Sequence, residues 1–170
     1  MGDSKAMTEN DVAKEIASST TCLGMRYRDN VFVLQNVSWG FFHWGECDYL
    51  VCRRNGKLID VEIKTTISDL RKDFGKAKWN GKAYLYERSI YMHYYALPVD
   101  IFDAAKPIIE ESRIDSGIVV IDTSKRYRGG ACRVAKLAKA NDESKALDHT
   151  RIVNLARLGM FRYWRSYENV

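Results

Sequence analysis

No apolar run in this 170-residue chain reaches the ~18–20 residues a membrane-crossing helix needs, so no spanning segment is expected. The opening MGDSKAMTENDVAKE is polar and acidic where an export leader would be basic and then apolar. Cysteine is sparse. Cys22, Cys47, Cys52 and Cys132 have no paired CxxC spacing, which argues against a zinc site and for reduced, half-buried thiols. A cytoplasmic setting is the expectation. The two prolines act as punctuation: Pro98 ends an aromatic, β-rich run and Pro107 limits a helix. Internal repeats, low-complexity tracts and linkers are all missing, so residues 1–170 read as a single domain. Charge of one sign does not dominate either. The net charge of +5 permits a polyanionic partner without demanding one.

What is present alternates between helical and strand patterns. Thr8 and Asp11 form a capping-box start for a short amphipathic helix with Val12, Ala13, Ile16 and Ala17 inward. Residues 31–39 and 47–52 read as strands, and Arg53 to Lys57 as an Asn-Gly hairpin turn. Leu58 to Lys64 then returns antiparallel. Ser68 is expected to cap a helix running on through Gly75 towards Trp79. Strands are expected at 88–98 and 117–122, a helix at 100–111, and an edge strand after Ala131. Asn141 to Ser144 reads as a polar hinge before a long final helix over 145–167. The expected class is α/β: a mixed central sheet flanked by helices, with its core over about residues 31–135.

The chemistry concentrates on the strand around Asp60-Val61-Glu62-Ile63-Lys64. Alternation puts Asp60, Glu62 and Lys64 on one face and Val61 and Ile63 on the other. Asp48, on the neighbouring antiparallel strand, can approach Glu62. Two adjacent carboxylates repel and a cation relieves them; Mg²⁺ takes such oxygen ligands and fills the rest with water. Lys64 is placed to polarise an attacking water or to stabilise a pentavalent phosphate. The Ile63 carbonyl is a further candidate ligand. Asp60 is open to three readings: an extra metal ligand, a partner for Lys64, or the exposed end of a strand. The bland alternative for the whole set is a surface strand whose charges pair across the hairpin, worth ~0–1 kcal/mol.

Asp48 with Glu62-Ile63-Lys64 resembles the D…ExK signature of the PD-(D/E)XK nuclease superfamily. The wider run NVSWGFFHWGECDYLVCRRNGKLIDVEIKTTISDLRKDFGKAKWNG, with YYALP and GIVVID beyond it, is similar to its MmcB-like DNA-repair branch of phage and bacterial proteins. The resemblance covers roughly residues 31–135 and implies a restriction-endonuclease-like fold, Mg²⁺ (with Mn²⁺ as a substitute) and DNA as partner. It makes Asp48, Glu62 and Lys64 the catalytic positions, and Asp48, Glu62 and the Ile63 carbonyl the metal ligands. Glu15 on the first helix is the counterpart of a further Glu often found in that family. Two positions depart from the pattern: Cys47 stands where the family name has proline, and Lys76-Ala-Lys-Trp-Asn80 replaces a segment where relatives often carry histidine.

Arg71, Lys72, Lys76, Lys78 and Lys82 follow the motif directly, as a phosphate-facing set or as a solvated helix face. Arg151, Arg157, Arg162 and Arg165 form a second basic cluster in the final helix. The expected function is therefore a Mg²⁺-dependent deoxyribonuclease of repair, recombination or phage DNA processing, with no membrane partner and a homodimer left open. The alternatives are a non-cleaving nucleic-acid-binding protein of the same fold, or an interaction module with solvated charges.

Overall fold

Three successive segments rich in β-branched and aromatic residues cannot bury their apolar sides alone, and they pair as an antiparallel meander. In the computed structural model, which describes residues 6–19, 22–24, 29–37, 45–76, 88–112, 115–125 and 130–168, these are β1 (Asn30–Val37), β2 (Cys47–Arg53) and β3 (Leu58–Ile63). β4 (Ile90–Pro98) joins β3 in parallel, β5 (Gly117–Ile121) joins β4 in parallel, and β6 (Cys132–Lys136) closes the order antiparallel. The result is one mixed sheet in simple sequence order, β1 to β6. Among the described residues the α-helices are α1 (Glu9–Ser18), α2 (Ile67–Asp73), α3 (Val99–Glu110) and α4 (His149–Glu168). The protein is a mixed α/β fold, as its sequence pattern leads one to expect.

The two faces of the sheet are built differently. On one, α1 lays Val12, Ala13 and Ile16 against Tyr49, Val51, Ile59, Val61 and Ile63 in a continuous apolar core. On the other there are two separate apolar patches. One joins Leu34, Leu50, Cys52 and Leu58 to Leu155 of α4. The second joins Tyr95, Leu97, Ile118 and Val120 to Leu70 of α2 and to Ala105 and Ile109 of α3. Between the patches runs a seam of buried polar side chains that includes Asp60, Glu62, Lys64, Asp73, His93 and Ser116.

Several local expectations change. Ala17 is exposed, because the apolar stripe of α1 narrows to Val12, Ala13 and Ile16. The cap of α2 is Thr66, not Ser68: Thr66 is extended and its Oγ1 accepts from the Asp69 N–H at 3.1 Å. That helix stops at Asp73, where Phe74 to Lys76 form a turn, so Gly75 lies beyond it. Residues 141–147 are no hinge and not yet helix. Their backbone is tied down, Asn141 N to Tyr91 O at 2.8 Å, Lys145 N to Arg88 O at 2.7 Å and Leu147 N to Gly56 O at 2.9 Å. Asp148 then starts α4 by accepting from the Arg151 N–H at 2.8 Å. The long-range pairing outweighs the helix propensity of 145–148.

Candidate active site

The antiparallel register of β2 and β3 pairs Tyr49 with Val61 and Leu50 with Asp60, so Asp48 and Glu62 leave the ladder side by side. Asp48 Oδ2 accepts the Ile63 N–H at 2.9 Å, taking up a backbone donor where the ladder ends. Lys64 follows at the C-terminal end of β3, its own N–H donating to Ala96 O at 3.0 Å. The lysine Nζ thereby reaches Glu62 Oε2 at 2.9 Å, the Ile63 carbonyl at 3.2 Å and Asp48 Oδ2 at 3.5 Å. These are the three oxygens assigned to a metal from the sequence. An ammonium group sits among them.

α2 closes the site from the side. Asp69 and Asp73 are four residues apart and share a helix face. Their carboxylates lie 3.8 and 3.9 Å from Lys64 Nζ. Lys76, in the turn after α2, forms an ion pair with Asp73 Oδ1 at 2.7 Å and lies 3.8 Å from Glu62. Tyr95, opposite Glu62 in the β3–β4 register, donates its hydroxyl to Asp73 Oδ2 at 2.8 Å. Burial, with the Asp73 charge beside it, raises the Tyr95 phenol far above its ordinary value, so it stays protonated and donates. Among the described residues four carboxylates thus face two ammonium groups, an excess of two negative charges when all are ionised. Glu62 and Asp73 are fully enclosed, whereas Asp48 and Asp69 keep 24% and 44% of their side chains exposed and open the cluster to water.

The surface-strand alternative fails here, because every residue of β3 is buried. So does the exposed-end reading of Asp60, which has no exposed surface at all. Its Oδ2 lies 3.9 Å from His93 Nε2, and His93 Nδ1 shares a hydrogen bond of 2.7 Å with the buried Ser116 hydroxyl. His93 also stands edge-on to Tyr95, 4.7 Å between ring centres. Asp60 therefore belongs to a polar chain running under the site, one pleat away from Asp48.

The remaining predicted residues divide. Glu15 is on α1, which packs on the opposite face of the sheet; its charge is felt by the Cys132 thiol, not within the Lys64 cluster. Arg71 and Lys72 are exposed on α2, and Lys76 is drawn into the cluster. Lys78 and Lys82 lie outside the described residues. Asp73, Tyr95 and Ser116 were not foreseen. The i, i+4 spacing of Asp69 and Asp73 directly after the motif is the signal that would have found Asp73.

The donors suit a hard divalent cation: oxygen atoms only, two carboxylates from adjacent strands, a backbone carbonyl and a net negative field. Among the described residues, however, no group of three or more His, Cys, Asp or Glu side chains is arranged to hold a metal ion. The fit is thus to an ion held by one or two carboxylates and completed by water, with Lys64 competing for the same oxygens.

No family model matches the chain, and no curated protein matches it. Among solved structures it is similar to the SPO1766 protein of unknown function from Silicibacter pomeroyi, with a TM-score of 0.56 and 16% identity. The match covers 98% of this chain and 92% of that one. That likeness concerns the fold.

Proposed function

We propose that the protein is a metal-dependent nuclease that hydrolyses DNA phosphodiester bonds at the Asp48–Glu62–Lys64 site. The observation that carries this reading is the position of Lys64 Nζ, within 3.5 Å of the Asp48, Glu62 and Ile63 oxygens. A buried strand has no structural need for two facing carboxylates and an ammonium, since well-packed apolar residues of similar volume would be as stable or more so. The resemblance of the motif to the PD-(D/E)XK superfamily supports the same assignment and supplies DNA as the substrate class.

In this reading Asp48, Glu62 and the Ile63 carbonyl would hold Mg²⁺, with Mn²⁺ as a substitute. When bound, the ion neutralises phosphate charge and makes a coordinated water more acidic. The chain does the rest. Lys64, giving up its place among the carboxylates, orients the attacking water or stabilises charge on the phosphate. Asp73 keeps Lys76 and Tyr95 in position around Glu62. Arg71 and Lys72, exposed on α2, meet the flanking phosphates. A non-cleaving DNA-binding role is the second reading, favoured by the ion pairs that already satisfy Glu62.

The test is incubation with single-stranded, duplex and flapped DNA in Mg²⁺ or Mn²⁺, beside Glu62→Ala and Lys64→Ala. Cleavage by wild type only is expected, with at least a ~10³-fold loss in either variant if the site carries the transition-state charge. Equal cleavage by all three proteins would sink the site assignment. Binding without cleavage under every metal would favour the second reading.

A further inference from the structure

The first half of α4 packs its apolar side on the sheet, whereas its second half is exposed as far as Arg165. Ile152, Leu155 and Leu158 pack on the β1–β2 side of the sheet. Gly159 lets the helix approach β1 so closely that an added Cβ would stand 2.4 Å from Leu34. Beyond it, residues 160–165 are all exposed, among them Met160 at 62%, Phe161 at 59%, Tyr163 at 57% and Trp164 at 61%. Such a run of large apolar side chains in water needs an explanation.

Its position supplies one. Arg162 donates to the backbone carbonyls of Gln35 and Asn36, the latter at 2.8 Å. Gln35 pairs with Tyr49 and Val37 with Cys47, so this anchor grips the strand pair beside Asp48. α4 starts near the hairpin tip at Gly56 and reaches the carboxylate end of the sheet with its aromatic half. A cleft of about 720 Å³ between β1 and this half of the helix is lined by Met160 and Tyr163.

The chemistry of the exposed half narrows the occupant. Helical spacing puts Val153, Arg157, Met160, Phe161 and Trp164 on one stripe, with the arginine in its middle. A membrane surface would have to bury that cation. A second copy related by a two-fold axis would set the arginines of both chains against one another. A single strand of nucleic acid matches the interleaving, offering bases to the aromatic rings and phosphates to the guanidinium groups. All four cations of α4 are arginines, the planar group that stacks and bonds phosphate in a fork.

We propose that the C-terminal half of α4, Arg157 to Arg165, is a docking surface for single-stranded nucleic acid, which leads the strand to the carboxylate end of the sheet. The docking stands on the exposed aromatics and arginines; only the delivery of the strand for hydrolysis rests on the nuclease reading.

Fluorescence anisotropy with a labelled oligothymidylate of about thirty nucleotides, in EDTA and low salt, tests it on the full chain. Trp164→Ala and Arg157→Glu are each expected to weaken binding about tenfold, the loss of one stacked base or one phosphate contact. Arg151→Glu, at the far end of the same helix and paired with Asp148, serves as the control and is expected to change affinity by less than about twofold. All three positions are exposed, and unchanged melting temperatures check the fold. Wild-type affinity in Trp164→Ala and Arg157→Glu overturns the proposal. So does a wild type that ignores the oligonucleotide but loses self-association, or binding to phosphatidylglycerol vesicles, on Trp164→Ala. The same proteins together with Glu62→Ala, assayed for cleavage in Mg²⁺, separate the two readings. Weakened binding in the variants with no cleavage by wild type supports docking and sinks hydrolysis; unaltered binding with cleavage lost only in Glu62→Ala does the reverse.

Discussion

Val61 and Ile63 on one face of β3 are as thoroughly buried as Glu62 on the other and Lys64 just beyond its end. The apolar face needs no ordering beyond packing: each side chain removed from water contributes ~1.5–3 kcal/mol wherever its neighbours lie. The polar face is stable only as a set. Lys64 alone contacts Asp48, Glu62, Asp69 and Asp73, so removing one member leaves the others buried and unbalanced. Burial by itself therefore says little about what a residue does. What separates the faces is whether a small cation could replace the side chain.

The largest expected effect breaks that comparison open. Lys64→Ala should cost about 3–5 kcal/mol in urea unfolding, because it strands buried carboxylates. Millimolar Mg²⁺ should restore part of the loss by entering the vacated oxygen set. Ile59→Ala, on the apolar face, should cost roughly 3 kcal/mol through its cavity, with no extra response to Mg²⁺. If both variants respond to Mg²⁺ alike, the two faces do not differ in the way described.

Tyr95→Phe should come next, at about 1–2 kcal/mol, because Asp73 Oδ2 loses a buried donor while Lys76 still holds Oδ1. Calorimetry should show this loss without a change in the apolar core opposite. The smallest effect is on alkaline stability. Burial raises the phenols of Tyr49 and Tyr95 above their unfolded value of about 10, so the stability they confer is complete below that pH and falls as pH rises above it. Tyr95→Phe should flatten part of that decline in a series of melting curves above about pH 10.

The sheet was legible because alternation is local: Val61 and Ile63 against Glu62 and Lys64 can be read from five consecutive residues. The pairing of Asp48 with Glu62 followed from an Asn-Gly turn that fixes hairpin register. What escaped depends on long-range contact. Thr66 outcompetes Ser68 as a cap because the chain leaving β3 is still extended there. Residues 145–147 stay out of the helix because the Arg88 and Gly56 carbonyls accept from Lys145 and Leu147. Asp60 was open to three readings from the sequence, as metal ligand, Lys64 partner or exposed strand end, and none of them included His93, which β4 brings beside it. Tyr95 and Ser116 reach the seam from strands whose order no local pattern specifies, and α1 takes Glu15 to the other face.

In the proposed site Lys64 holds the place of a divalent cation beside Asp48 and Glu62. Thermal unfolding of wild type and Glu62→Gln across a Mg²⁺ titration tests it most directly. A cation bound only by the native state stabilises by about 2.7 kcal/mol at a hundredfold excess over its dissociation constant. The wild-type melting temperature should therefore climb and level off with Mg²⁺, while that of Glu62→Gln stays flat. A wild type that ignores Mg²⁺, or a Glu62→Gln protein that rises equally, would contradict the account.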